Sequence, residues 1–570
     1  MRAFFSALDR QEAKFVPVLR KDRLGLYLRA TVNELDLAEY VRRTRANRTD
    51  EDSEQFYIMH LGATRLVKLA LEARPGFDVP TLTYRRDSRI ARPVLQIVSG
   101  MGMIEHGRRV AQTAMAGTGE IEHVGSKEFM ITLPAKLFDD QYYERSIAEH
   151  YTSAHTRMVE EALHGEAFSS AREEVDRLLD ELVYPFKTHF IGYGGDPLLD
   201  EYFYALAFQR VALEDGYDTF NYAVEFGGVS FQKFILAITF LQSLSLRHER
   251  FAEALCAKDS KVRIENVLTI SADPAAFVDT IREALSHFGA QLEEFGGITT
   301  EDAETIFRVL SVGRENTALL DRPGCSLPPL IRTSEGGVIR CQTGSLNRPV
   351  LFLLDSLRFH FPTDYDRNQA RREQSMQAAM RRVLDELGQD FTYLENVKLR
   401  LGGRLITDVD LVAIDGASGQ MILVQLKHQD PFGMDIATRE SRSRRLKQQS
   451  QAWLTATSQW MAEVGDRGLR SAFRLEKTVP DPTIYRMIVA RHFSYPLRGL
   501  PDQQDVAFGN WLQFYNAVEL VRIRNEGTSL ARVFDTLQAS QEPGGRQEHH
   551  NEPPSEWVID DLKFTIRQAS

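Results

Sequence analysis

The chain has 570 residues, with 69 Lys and Arg against 80 Asp and Glu, a net charge of −11. An apolar share of 43% and a charged share of 26% exclude wholesale disorder and low-complexity classes. So acidic a chain is not a histone-like coat for nucleic acid, and its length predicts about three to four domains.

Residues 1–138 read as a mixed α/β region. Apolar positions fall at helical spacing around Leu24–Leu37 and Leu61–Leu71. The short β-like runs VLQIV and EFMITL follow among glycine-rich turns, which predicts a small mixed subdomain of winged-helix-like kind. The opening MRAFFSALDRQEAKF carries early charges and no apolar run, so no secretory leader is expected. Residues 139–320 read as mainly helical, with amphipathic segments such as SSAREEVDRLLDELV. GYGGDP at 192–197 and FGG at 226–228 interrupt them; neither has phosphate-loop spacing, so both are expected as turns. Phe234 to Leu246 is the most apolar stretch, but it is shorter than the roughly 20 residues of a spanning helix. It predicts a buried core helix and no membrane partner. Residues 321–364 are expected as an extended connector with one short strand, or a boundary region, because 321–349 is rich in Pro, Gly and Ser. From 365 to 537 the order is a long helix, a hairpin of strong strands, a second long helix, the strand-like IYRMIVARHF and the helix-like FGNWLQFYNAVELV, one α/β domain. Residues 538–570 read as a polar tether ending in a docking strand, EWVIDDLKFTIRQAS. The class is thus α+β multidomain, mostly helical first and α/β later.

The cysteines, Cys256, Cys325 and Cys341, form no C-x-x-C pair; a zinc site and a disulfide framework are not expected, and a cytoplasmic setting is. His106, His123, His150 and His155 show no metal-ligand spacing, and His549-His550 lies in the tether.

One region carries chemistry: RLITDVDLVAIDGASGQMILVQLKHQ, residues 404–429. Two apolar runs joined by GASG predict two buried strands and a tight turn. Buried strands exclude charge, yet Asp408 and Asp410 stand at the mouth of the first and Gln425 and Lys427 at the end of the second. Gln425 and Lys427 are two apart and leave the same face. Asp410, Gln425 and the Leu426 carbonyl offer hard oxygen ligands to Mg²⁺ or Mn²⁺, and Lys427 can orient a water and offset phosphate charge.

This arrangement resembles the D…(D/E/Q)-x-K signature of the PD-(D/E)XK nuclease superfamily. With Gln425 in place of the usual Glu, it is similar to Mrr-type restriction endonucleases. The upstream helix, RREQSMQAAMRRVLDELG, puts Glu373 on the stripe of Met376, Met380 and Leu384; the resemblance implies that this glutamate assists in the site. It implies an α/β restriction-endonuclease-like domain over about 367–460, a Mg²⁺-dependent endodeoxyribonuclease, and a role in restriction or antiviral defence. Downstream, Arg439, Arg442, Arg444, Arg445 and Lys447 form a basic patch, with Gln449 as the implied glutamine that reaches the site. Arg442 and Arg445 are the expected phosphate contacts. Residues 367–460 hold 14 Lys and Arg against 11 Asp and Glu, the locally basic part of an acidic chain, as backbone contact with DNA requires. The alternative is a catalytically silent module for nucleic-acid binding or assembly, since Gln425 carries no charge for a metal. The N-terminal region is expected to serve a partner protein or a homo-oligomer.

Overall fold

The computed structural model describes residues 1–570 except 20–22, 46–48, 75, 78, 80–83, 115–118, 135–165, 215–219, 293–294, 322–326, 335–336, 370, 430–435, 501–503, 525–528, 541–553 and 570. His150, His155, Cys325, His549, His550 and most of the expected tether lie outside the described residues. The fold is mixed α/β, with several small sheets among many helices. Among the described residues no helix is long and apolar enough to cross a membrane.

The first region is built on helices Arg2–Ala13, Leu24–Thr44, Asp50–Ala73 and Ser88–Thr113. VLQIV, expected as a strand, lies inside the last of these. Val94, Ile97, Val98 and Met101 are all buried, and that spacing is helical. The crossing with Asp50–Ala73 is close: a Cβ on Gly62 would meet the Val98 carbonyl oxygen at 1.8 Å, and one on Gly102 the Ile58 carbonyl oxygen at 2.0 Å. EFMITL does form a strand, Glu128–Leu133, paired antiparallel with Glu120–Gly125. The C-terminal segment joins this hairpin with two strands rather than one, Ser555–Ile559 and Leu562–Gln568. The second runs parallel to Glu128–Leu133 in register Lys563 with Glu128 through Gln568 with Leu133. No winged helix is needed to explain the hairpin; its partner comes from the far end of the chain.

The apolar stretch at 234–246 lies in a buried helix, Phe231–Lys258. FGG forms the turn of the two-residue hairpin Glu225–Phe226 and Val229–Ser230, and GYGGDP runs from a strand into helix Pro197–Glu214. The expected connector is a structural centre instead: strands Leu330–Ser334 and Gly337–Arg340 occupy the middle of a four-stranded sheet. Ile331, Val338, Ile339 and Cys341 are fully buried. The long helix expected at the start of 365–537 is two helices. Pro362–Gln369 belongs to the preceding core, where Tyr365 is buried and Asn368 donates to the Glu225 carbonyl at 2.9 Å.

The α/β region then follows in order: α1 (Arg372–Asp385), β1 (Phe391–Leu401), β2 (Arg404–Asp415), β3 (Gln420–Lys427), α2 (Ile436–Ala472), β4 (Thr483–Ala490), β5 (Val506–Asn510), α3 (Trp511–Arg524) and α4 (Leu530–Ala539). The sheet order is β1-β2-β3-β4-β5, antiparallel for the first two pairs and parallel for the last two. Gly402 and Gly403, at φ 55° and 83°, turn β1 into β2, a two-residue loop whose central residues both need positive φ. The parallel step from β3 to β4 requires a crossover, which α2 supplies; Gly465, at φ 66°, breaks that helix. α1, α3 and α4 pack on one face of the sheet through Met380, Leu411, Val424 and Phe514. α2 packs on the other through Val412, Leu423, Trp453 and Trp460.

Candidate active site

The β2–β3 ladder ends at the pair Leu411 and Val424. In the same register Asp410 comes next opposite Gln425, where the strands part. The Leu426 N–H donates to Asp410 Oδ2 at 2.6 Å, and Gln425 Nε2 donates to the same oxygen at 2.5 Å. Asp410 and Gln425 are 5% and 4% exposed, so a carboxylate is held in the sheet end by two N–H donors. In an extended strand a residue's N–H and C=O point to the same side. The Leu426 carbonyl therefore faces the gap as well.

The other side of β2 is distorted at the same residue. β1 pairs Glu395 with Leu411 and Val397 with Val409, leaving Asn396 opposite Asp410 at φ 52°, a left-handed conformation that Asn tolerates better than most residues. Buried Gln377 of α1 fills the opening: its Nε2 donates to the Asp410 carbonyl at 2.8 Å and to Asn396 Oδ1 at 3.1 Å. From α2, Trp453 Nε1 donates to the Asp408 carbonyl at 2.9 Å. Helices on both faces thus pin β2 at 408–410.

Glu373 lies one turn before Gln377 on α1. Burial raises its pKa, Lys427 lowers it and Asp408 raises it. Asp410 is pushed up to about 6, first by burial and then by Glu373 and Asp408, against the Leu426 N–H and Lys427. These shifts put Glu373, Asp408, Asp410 and half-buried Lys427 in one electrostatic neighbourhood.

Among the described residues no three His, Cys, Asp or Glu side chains are grouped as a metal site. The donors at the parted strands are oxygens of Asp410, Gln425 and Leu426, with Glu373 of α1 in the same electrostatic neighbourhood, a set that suits a hard divalent cation. Gln425 turns its amide nitrogen toward Asp410. Offering its oxygen beside the carboxylate takes a rotation about χ3, a soft torsion.

On α2, Arg442 is half-buried, and Arg445 and Gln449 are exposed. Arg439 is engaged by Tyr495: its Nε donates to the hydroxyl at 3.2 Å and its guanidinium stands 5.1 Å from the ring centroid. Sequence reasoning missed Gln377 and Trp453, which donate to the backbone of β2, and Asn396, which accepts from Gln377. It also missed His428, Arg491 and His492 at the ends of β3 and β4. The only signal for the last three was position, since carboxyl ends of parallel strands gather ligand-binding groups. Elsewhere, the half-buried His106 ring lies 4.3 Å from the Trp557 ring and His123 stacks on Phe129 at 4.7 Å, both packing roles.

No family model, no curated protein and no solved structure matches the chain.

Proposed function

We propose that this protein is a metal-dependent endonuclease of the PD-(D/E)XK type, hydrolysing phosphodiester bonds in DNA, and that it works in the cytoplasm in defence against phage or other foreign DNA. The observation that carries the reading is the meeting of Asp410, Gln425 and Lys427 where β2 and β3 part, with Glu373 on the helix alongside. The β1-β2-β3 meander followed by α2 and the parallel β4 supports it.

In this reading Asp410, the Gln425 amide oxygen and the Leu426 carbonyl hold Mg²⁺ or Mn²⁺, and Glu373 adds an outer carboxylate. When bound, the ion supplies an acidified water and charge neutralisation at the scissile phosphate. Lys427 orients that water through its ammonium protons and offsets charge on the phosphate oxygens. Arg442, Arg445 and Gln449 line the approach to the backbone. The N-terminal region serves recruitment, through a partner protein or a second copy.

Plasmid incubated with Mg²⁺, Mn²⁺ or EDTA tests the reading. Cutting that needs metal and disappears in Asp410→Ala and Lys427→Ala is expected. Cutting indifferent to EDTA and to both substitutions would sink it. One observation favours a second reading, a silent nucleic-acid-binding module: the uncharged Gln425 spends its amide on Asp410. Gln425→Glu separates the two, because an active site gains metal affinity from the added charge and a silent one stays silent.

A further inference from the structure

The parallel pairing of β3 with β4 reaches its last pair at Lys427 and Ala490, and the ladder continues one step as the Arg491 N–H donates to the Lys427 carbonyl at 2.9 Å. Two side-chain runs therefore emerge together from neighbouring strands: Lys427-His428-Gln429 and Arg491-His492. The rings of His428 and His492 meet edge to face at 6.3 Å. The Arg491 guanidinium stands 6.0 Å from the Trp511 ring at the start of α3. All five side chains are half-buried. Both polar atoms of the Gln429 amide are shielded from solvent and lack a hydrogen-bond partner among the described residues, a costly state that a ligand relieves.

The segment behind these groups is held on two sides. Ser494 Oγ donates to Gln513 Oε1 of α3 at 3.1 Å. Tyr495 is buried and bonded to Arg439 and Ser443 of α2. Arg491 and His492 are thus presented from a fixed backbone, as preorganised recognition requires. Net positive charge and N–H donors meet here beside a cluster of carboxylates, at the sheet end where ligands of parallel strands bind.

We propose that Lys427, His428, Gln429, Arg491 and His492 form a phosphate-binding floor that grips the nucleic-acid backbone next to the scissile bond. The floor rests on the nuclease reading and extends it: strand grip comes from the β3 and β4 ends, not only from the basic face of α2. Arg491 provides the fixed charge, and the imidazole and amide N–H groups complete the donors to phosphate oxygens.

The test is fluorescence anisotropy of the full chain with a labelled DNA duplex, and with an RNA duplex of matching sequence, in Ca²⁺ across a salt series. Arg491→Gln combined with His492→Gln is expected to weaken DNA binding about tenfold and to flatten the salt dependence by about one unit of slope. Arg491→Lys should keep the slope. Lys477→Gln, a charge lost at the opposite end of β4, should match the wild type. If the double variant melts early, His492→Asn alone carries the test. Wild-type affinity and slope in a folded variant would overturn the floor and leave the nuclease reading standing. A wild-type chain that binds neither duplex would overturn both, and equal losses on DNA and RNA would assign the floor to phosphate as such.

Discussion

Asp410 is where stability and the proposed chemistry oppose each other. Its carboxyl titrates at about 6 in the fold against an ordinary 3.8, because burial disfavours the charge. The folded state therefore holds this proton more tightly than the unfolded one. Stability falls as pH rises from about 4 to about 6 and stays reduced above. Asp410→Asn removes the ionisation and keeps an oxygen for the Leu426 N–H. We predict that it raises unfolding free energy by about 1–3 kcal/mol at neutral pH, with the gap closing near pH 4. Urea unfolding across that range measures it, and a variant less stable than wild type at neutral pH would contradict it. Cation binding needs the ionised form, so the same group sets a pH–rate profile. At Mg²⁺ well below saturation, where proton and cation compete for this carboxylate, cleavage should climb through about pH 6 and level off. A rate that is flat across that window would show that Asp410 does not hold the ion.

At the level of elements, the site depends on β2 being locked at Asp410, and Gln377 is the strut that joins it to the helix of Glu373. Gln377→Leu leaves the Asp410 carbonyl buried without its donor and should cost about 1–3 kcal/mol. It should also lower kcat with little change in KM, since binding groups elsewhere are untouched. An unchanged kcat in a folded variant would show that the strut is structural only. None of this was legible in the sequence. The apolar runs of β2 and β3, the GASG turn, the stripe of α1 and the basic face of α2 were, because each is a local period or turn signal. Strand β1 was missed because it alternates irregularly between buried and exposed positions and is broken at Asn396. The centre at 330–341 reads as a connector in the sequence because Pro and Gly report turns and not burial. Its place is set by contacts distant in sequence, such as the buried Asp36 carboxylate accepting from the Thr343 N–H and hydroxyl, both at 2.8 Å. VLQIV is equally apolar as strand or helix, and only its packing against Gly62 decides between them.

Across the whole molecule, strands from 120–133 and 555–568 form one sheet, and helix Arg2–Ala13 packs on it. Phe564 is fully buried against Phe4, with ring centroids 5.5 Å apart, and Trp557 covers His106. Exposed ion pairs ring this core, Lys14 with Asp560 and Lys127 with Asp561. Exposed pairs contribute little, since their attraction is screened and two long side chains are immobilised. A buried phenylalanine removed leaves both lost apolar transfer and a cavity. The hairpin is therefore held by its apolar face. Phe564→Ala should destabilise the chain by about 3–5 kcal/mol, whereas Lys127→Ala, which loses only an exposed pair, should barely move the melting midpoint. The loss should also reach further than the sheet. Helix Ser88–Thr113 touches both strand Ser555–Ile559 and α2, so loosening the hairpin removes support from the helix that backs the proposed site. Proteolysis of Phe564→Ala at a temperature below its midpoint should then cut within α2 sooner than in the wild type. If α2 stays as resistant as before while the hairpin is cleaved, the terminal sheet and the α/β region are mechanically separate, and any signal between them takes another route.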